Sequence, residues 1–180
     1  MRAMSPALAT FCLLTPYLAI LCYMDCRYRR LPNVMTLGGA LVALAARYGA
    51  GGVACGNAGV LGGIACGLFL LLPFAMRAAG GGDVKMLAAV GCALGIGRVV
   101  ETLLFTSVAG LLMMGVFLLF GNSDASRLRH LLRSMFDWRY DRKAGRAALP
   151  PKDSERCRVP FGVAIAVGAW TALLWEMWIG

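Results

Sequence analysis

From Ala3 to Met24 the chain carries no charged residue, and ~20 helical residues are enough to cross the ~30 Å hydrocarbon core of a bilayer. Similar apolar runs recur along the sequence, and the gaps between them hold most of the charge. The runs at 4–24, 31–47, 58–77, 83–100, 102–120 and 159–177 read as six transmembrane helices. The expected fold is therefore an all-α polytopic membrane protein, forming one domain over residues 1–180. Composition agrees: 59% of the 180 residues are hydrophobic, 15% are charged, and the mean hydropathy is +0.71. These values exclude an ordinary soluble domain. The first run also has the look of a secretory signal peptide behind Arg2. It is longer than a typical h-region, however, and leads into basic residues and further apolar runs.

The gaps set the expected topology. Of the 18 Lys and Arg residues, fifteen fall in the first, third and fifth connections. Those connections are expected to face the cytoplasm, with both termini on the other side. A net charge of +9 distributed in this way points to anionic lipid headgroups, and no nucleic-acid partner is expected. In the long basic loop 121–158, Leu128, Leu131, Leu132, Met135 and Phe136 recur at helical spacing. They predict a cytoplasmic amphipathic helix lying on the membrane between helices 5 and 6. The stretch from Tyr48 to Asn57, with four glycines, is expected to be a loop, and Gly63 with Gly67 to permit close helix packing. The seven cysteines have no Cys-x-x-Cys spacing and read as small apolar residues, so neither a disulfide framework, a metal site nor a cofactor is expected.

The fourth run is the informative one. Its uncharged part, Met86 to Gly97, would cover only ~18 Å as a helix. To span, it must draw in Asp83 and Lys85 at one end or Arg98 at the other, which brings Asp83 toward membrane depth. An ionisable residue there is a candidate functional group. Asp25, at the end of the first helix, falls at the same cytoplasmic boundary. Two carboxylates at one depth are the minimum set for an aspartic-type hydrolase, one acting as general base toward water and the other as general acid. Gly80, Gly81 and Gly82 read either as an interhelical turn or as a surface that lets a substrate backbone approach. Lys85 has three readings: holding the carboxylate charged, contacting substrate, or snorkelling to the interface.

Three segments resemble one family. Gly80-Gly81-Gly82-Asp83-Val84-Lys85 matches Gly-x-Gly-Asp-x-Lys. Asp25-Cys26-Arg27-Tyr28-Arg29-Arg30-Leu31-Pro32-Asn33 is similar to a first-aspartate segment, Asp-x-Arg-x-Arg-x-Ile-Pro-Asn. Val159-Pro160-Phe161-Gly162 is similar to a Pro-Tyr/Phe-Gly run that opens a last helix. Together they resemble the type IV prepilin peptidases, membrane aspartic proteases. The resemblance implies that Asp25 and Asp83 are catalytic and that the partners are prepilin or pseudopilin precursor peptides; on the reading of the residues themselves, Gly80, Gly82 and Lys85 are the candidates for supporting substrate. It also implies a bacterial cytoplasmic membrane, with cleavage of the basic leader at the cytoplasmic face. The cysteine-bearing cytoplasmic domain of the long family members is missing between the first two helices, so N-methylation of the product is not expected. The compact form resembles the peptidases of Flp-type tight-adherence pili. A proton- or cation-translocating protein and a non-catalytic pilus-assembly scaffold are the alternatives in other classes.

Overall fold

The computed structural model describes residues 6–28, 31–75, 79–119 and 161–179, and every regular element among them is helical. Helix α1 spans Pro6–Tyr28 and α2 spans Asn33–Ala75. The short α3, Gly81–Leu94, leads through a 3-10 turn, Ile96–Arg98, into α4, Val99–Leu119. The last helix, α5, is Phe161–Ile179. The basic loop 121–158, with its expected amphipathic helix, lies outside the described residues.

Helix α2 is two arms rather than one rod. A straight helix of 43 residues would be ~65 Å long. Instead, Leu31 just before it and Phe74 near its end both lie against the Gly81-Gly82 pair. The reversal is at Gly52, whose φ of 66° and ψ of −164° lie in a region essentially restricted to glycine. Across the bend the Tyr48 hydroxyl bonds Asn57 Oδ1 at 2.9 Å, and Arg47 Nε donates to the Cys55 carbonyl at 3.0 Å. The loop expected over Tyr48–Asn57 is thus helix on both sides of a single non-helical residue. One glycine in that conformation reverses the chain, so the two helices need no longer connection.

Helix α2 packs more extensively on α3 than any other pair of elements packs, and its second arm, residues 53–75, supplies the closest approach. Gly59, Gly62 and Gly63 lie against the backbone and side chains of Ala88, Gly91, Cys92 and Gly95. A Cβ on Gly62 would fall among backbone atoms of Gly91 and Gly95, which have nowhere to go. Small residues let the two helices approach backbone to backbone. Gly67, the other half of the expected pair with Gly63, meets Ala88 Cβ at an ordinary 3.4 Å.

Helix α3 is the central element: Met86, Leu87, Ala89, Val90, Gly91, Cys92 and Leu94 are all buried. It is shorter than the 83–100 span expected from sequence. Gly95, at φ 81°, ends it and donates its N–H to the Gly91 carbonyl at 2.8 Å. The guanidinium of Arg47 then supplies a donor to the Ala93 carbonyl at 3.0 Å. A cation fits there, because the last carbonyls of a helix have no partner of their own and carry partial negative charge.

Around α3 the core is built from Leu14, Leu18 and Leu21 of α1, Cys66 and Leu70 of α2, and Ile165, Ala166, Ala169 and Leu173 of α5. Helices α4 and α5 run antiparallel, with Gly110 against Phe161 and Gly168 against Thr106. The outer surface of the described residues carries many large apolar side chains: Leu13, Val34, Val42 and Leu111 are each more than two-thirds exposed. Such a surface needs an apolar solvent. Asn33–Ala75 and Ile96–Val116 are long and apolar enough to cross a membrane.

The chain directions follow from these contacts. The C-terminal end of α1, both ends of α2, and the N-terminal ends of α3 and α5 gather at one end of the bundle. Gly52 and the Gly95–Arg98 turn are at the other. Arg27 and Lys85, the described basic residues of the first and third connections, therefore share an end.

Gly52→Ala should lower stability by about 1–3 kcal/mol, because alanine is excluded from that conformation. Gly49→Ala, at a helical position with open space around the new methyl group, should be neutral or stabilising. Thermal unfolding in detergent checks the pair, and equal shifts would contradict the hairpin geometry.

Candidate active site

The buried face of α1 runs through Leu14, Leu18 and Leu21 and continues to Asp25. The intervals of four, three and four residues keep all four on one helical stripe. The sequence therefore places a carboxylate where the next core residue would stand. Asp25 is 9% exposed and is the one buried charged side chain among the described residues.

What receives it is the first turn of α5. The Gly162 N–H donates to Asp25 Oδ2 at 3.0 Å. The first N–H groups of any helix lack partners within it, and they carry its partial positive charge. Asp25 thus caps a helix that lies 137 residues further along the chain. A Cβ on Gly162 would stand 2.7 Å from Asp25 Oδ2 and 3.2 Å from its Cγ, so the carboxylate occupies the place of a side chain. One turn earlier on α1, the Cys22 thiol approaches the Gly162 carbonyl at 3.7 Å. Both faces of that glycine are tied to α1.

Asp83 is held in a related way, but by its own helix. It is the third residue of α3, and its Oδ2 accepts the Gly80 N–H at 3.0 Å. In the other direction, the Asp83 and Val84 N–H groups reach the Gly80 carbonyl at 3.1 and 3.4 Å. Reaching back from the third helical position to the cap is the acidic half of a capping box. Asp83 is half-buried.

The three glycines are needed for space. Gly80 has φ −81° and ψ 147°, ordinary extended backbone, and Gly81 and Gly82 belong to the first turn of α3. The turn expected over Gly80–Gly82 is thus mostly helix, and none of the three takes the left-handed conformation. A Cβ on Gly80 would lie 3.0 Å from Asp83 Oδ2, one on Gly81 would lie 3.3 Å from the Phe74 ring, and one on Gly82 would lie 3.0 Å from Leu31 Cβ. Glycine here lets a carboxylate, an aromatic ring and a leucine close directly on the main chain.

Lys85 reaches across to α2, where its Nζ donates to Asn33 Oδ1 at 2.7 Å. Asp25, Gly80, Gly82, Asp83 and Lys85, all singled out in the sequence, are thus brought to one end of the bundle. Gly162, Leu31 and Asn33 join them there. These three were visible only as members of motif-like segments, because the contacts that give them roles connect separate helices. Glu101, in the first turn of α4, is at the opposite end. Among the described residues, no group of three or more His, Cys, Asp or Glu is placed to hold a metal ion, and the six cysteines are unpaired.

Chemically, the arrangement offers two carboxylates at the mouth of an apolar bundle, each oriented by a main-chain amide at a helix N-terminus. No curated protein and no solved structure matches the chain. The profile of the type IV leader peptidase family matches residues 12–115, a segment that contains Asp25, the three glycines, Asp83 and Lys85. That match covers more than half of the sequence, so the chain belongs to the type IV leader peptidase family: it is a peptidase, and its apolar helices point to an integral membrane protein.

Proposed function

We propose that this peptidase is an aspartic-type endopeptidase that removes the basic leader from prepilin or pseudopilin precursors, using Asp25 and Asp83 to activate water. The observation that carries the reading is the common placement of the two carboxylates. Each has an oxygen fixed by a backbone N–H, Asp25 by Gly162 and Asp83 by Gly80. Hydrolysis by such a pair needs one carboxylate ionised and one protonated. The ionised group takes a proton from water as the oxygen attacks the scissile carbonyl. The protonated group donates first to the carbonyl oxygen, and the leaving amine then receives a proton as the tetrahedral intermediate collapses. Main-chain amides suit this task because they hold a carboxylate in place without being titratable themselves.

The placement in the membrane belongs to the same proposal. With α2 counted as two arms, the described residues form six helical segments, and these would be embedded in the bacterial cytoplasmic membrane with both termini lying outside. Arg27 and Lys85 flank the end that carries the aspartates, as expected for the cytoplasmic side. A substrate whose basic leader lies in the cytoplasm and whose apolar helix lies in the bilayer would present its junction at that depth. The compact chain would serve Flp-like precursors, with peptidase activity alone.

Asp25→Asn and Asp83→Asn should each lower precursor cleavage by about 10²–10⁴-fold, the usual contribution of general acid–base groups, while the protein still accumulates in the membrane. Precursor size in cells co-expressing a candidate prepilin reads this directly. Full cleavage by either purified variant, free of wild-type enzyme, would sink the pair. Gly162→Ala offers a subtler measurement. The new methyl group meets the far end of a side chain rather than backbone, so α5 can keep its place while the Asp25 carboxylate swings away. Displacing a reacting group by about 1 Å can cost ~100-fold. The variant should still fold, with some loss of stability because the buried cap is removed, and should cleave about 10- to 100-fold more slowly; unchanged kcat would show that the amide does not orient Asp25 for catalysis.

A further inference from the structure

Asp83 is bracketed by two contacts from one short segment. Just before it in the chain Gly82 lies under Leu31, and just after it Lys85 Nζ bonds Asn33 Oδ1 at 2.7 Å, both on one face of α3. Leu31 lies six residues after Asp25, in the connection that follows α1, and Asn33 is the first residue of α2. The start of α2 is itself fixed by bonds from the Met35 and Thr36 N–H groups to the Pro32 carbonyl, at 3.1 and 3.2 Å. The Thr36 hydroxyl adds a bond to the Asn33 carbonyl at 3.3 Å, from the one fully buried position of that arm. These bonds fix the backbone that carries Asn33, whose exposed side chain therefore projects from an ordered helix start.

Residues two apart on a helix do not face each other, so Lys85 and Asp83 leave the first turn of α3 in different directions. The lysine secures that turn from the side away from the carboxylate. We propose that Asn33 and Lys85 are a pair of positioning residues whose bond, with the Leu31–Gly82 contact, pins the first turn of α3 to the α1–α2 connection and so sets Asp83 relative to Asp25. The role rests on Asp25 and Asp83 being the catalytic pair. It replaces substrate contact as the task of Lys85.

The test compares Asn33→Ala, Lys85→Met, the double variant and Asn33→Asp with the wild-type protein in detergent. Two readouts are used: cleavage kinetics on a prepilin, and hydrogen exchange of the amides of residues 80–85 without substrate. Each single substitution should lower kcat by about three- to tenfold with KM nearly unchanged, the scale of a hydrogen bond to a charged group at a partly exposed site. Exchange of those amides should quicken by a similar factor. The double variant should be no worse than the more impaired single one, because both remove the same bond. Asn33→Asp keeps an acceptor for the ammonium and should retain wild-type kinetics and exchange. Independent effects that multiply in the double variant, a raised KM confined to Lys85→Met, or unchanged exchange would each overturn the proposal. Failure of the wild-type protein to cleave any prepilin would instead remove the catalytic reading, and the exchange arm would still decide whether the bond holds the turn.

Discussion

In an apolar surrounding no water is at hand for the unpaired N–H and carbonyl groups at helix ends, and each left unsatisfied costs several kcal/mol. Three charged side chains that this chain brings inward meet that requirement, and their signs match the helix dipole. Asp25 sits on the N-terminus of α5, Asp83 on that of α3, and Arg47 on the C-terminus of α3. Carboxylates are stabilised where helices begin and cations where they end. The same contacts that complete the helices therefore orient the carboxylates. A candidate site of this kind requires no separate scaffold, since its carboxylates already complete helix ends, Asp83 that of its own helix and Asp25 that of α5.

Two groups of glycines are needed for different reasons. Gly52 and Gly95 are needed for conformation: both have positive φ, and each marks a place where a helix stops or reverses. Gly62, Gly91 and Gly162 are needed for space, because another backbone or a carboxylate fills the volume a side chain would take. The first group makes the bends at the far end of the bundle. The second brings α3 onto α2, and α5 onto Asp25, closely enough for main-chain amides to act as ligands. Replacing a glycine of the first group strains the chain, whereas replacing one of the second displaces its neighbour.

Much of this was legible in the sequence. The apolar runs gave helices with nearly the right limits for α1, α4 and α5, and the shortage of apolar length after Lys85 marked Asp83 as unusual. The stripe of Leu14, Leu18, Leu21 and Asp25 was also present to be read, since its spacing is purely local. A break between two helices over Tyr48–Asn57 was legible, but its confinement to Gly52 was not, because a run of small residues from Gly49 to Gly52 looks the same in a loop as in a helix with one strained residue. Gly95 ended α3 early for a related reason. Helical length was judged by the distance needed to span, while the actual end was set by one positive φ and by Arg47 reaching from another helix. The Gly162–Asp25 and Asn33–Lys85 bonds depend on how helices lie against one another, and no local pattern encodes that.

One contact also has a temporal side. Asp25 is made early and Gly162 late, with most of the chain synthesised between them. Helix α3 can cap itself with Asp83 as soon as its first turn forms, but the amide that receives Asp25 exists only once α5 has been inserted and has docked against α1. The two carboxylates therefore mature at different moments. A nascent chain in the membrane would hold one aspartate already set and the other awaiting its helix, so that final orientation of the pair coincides with completion of the bundle.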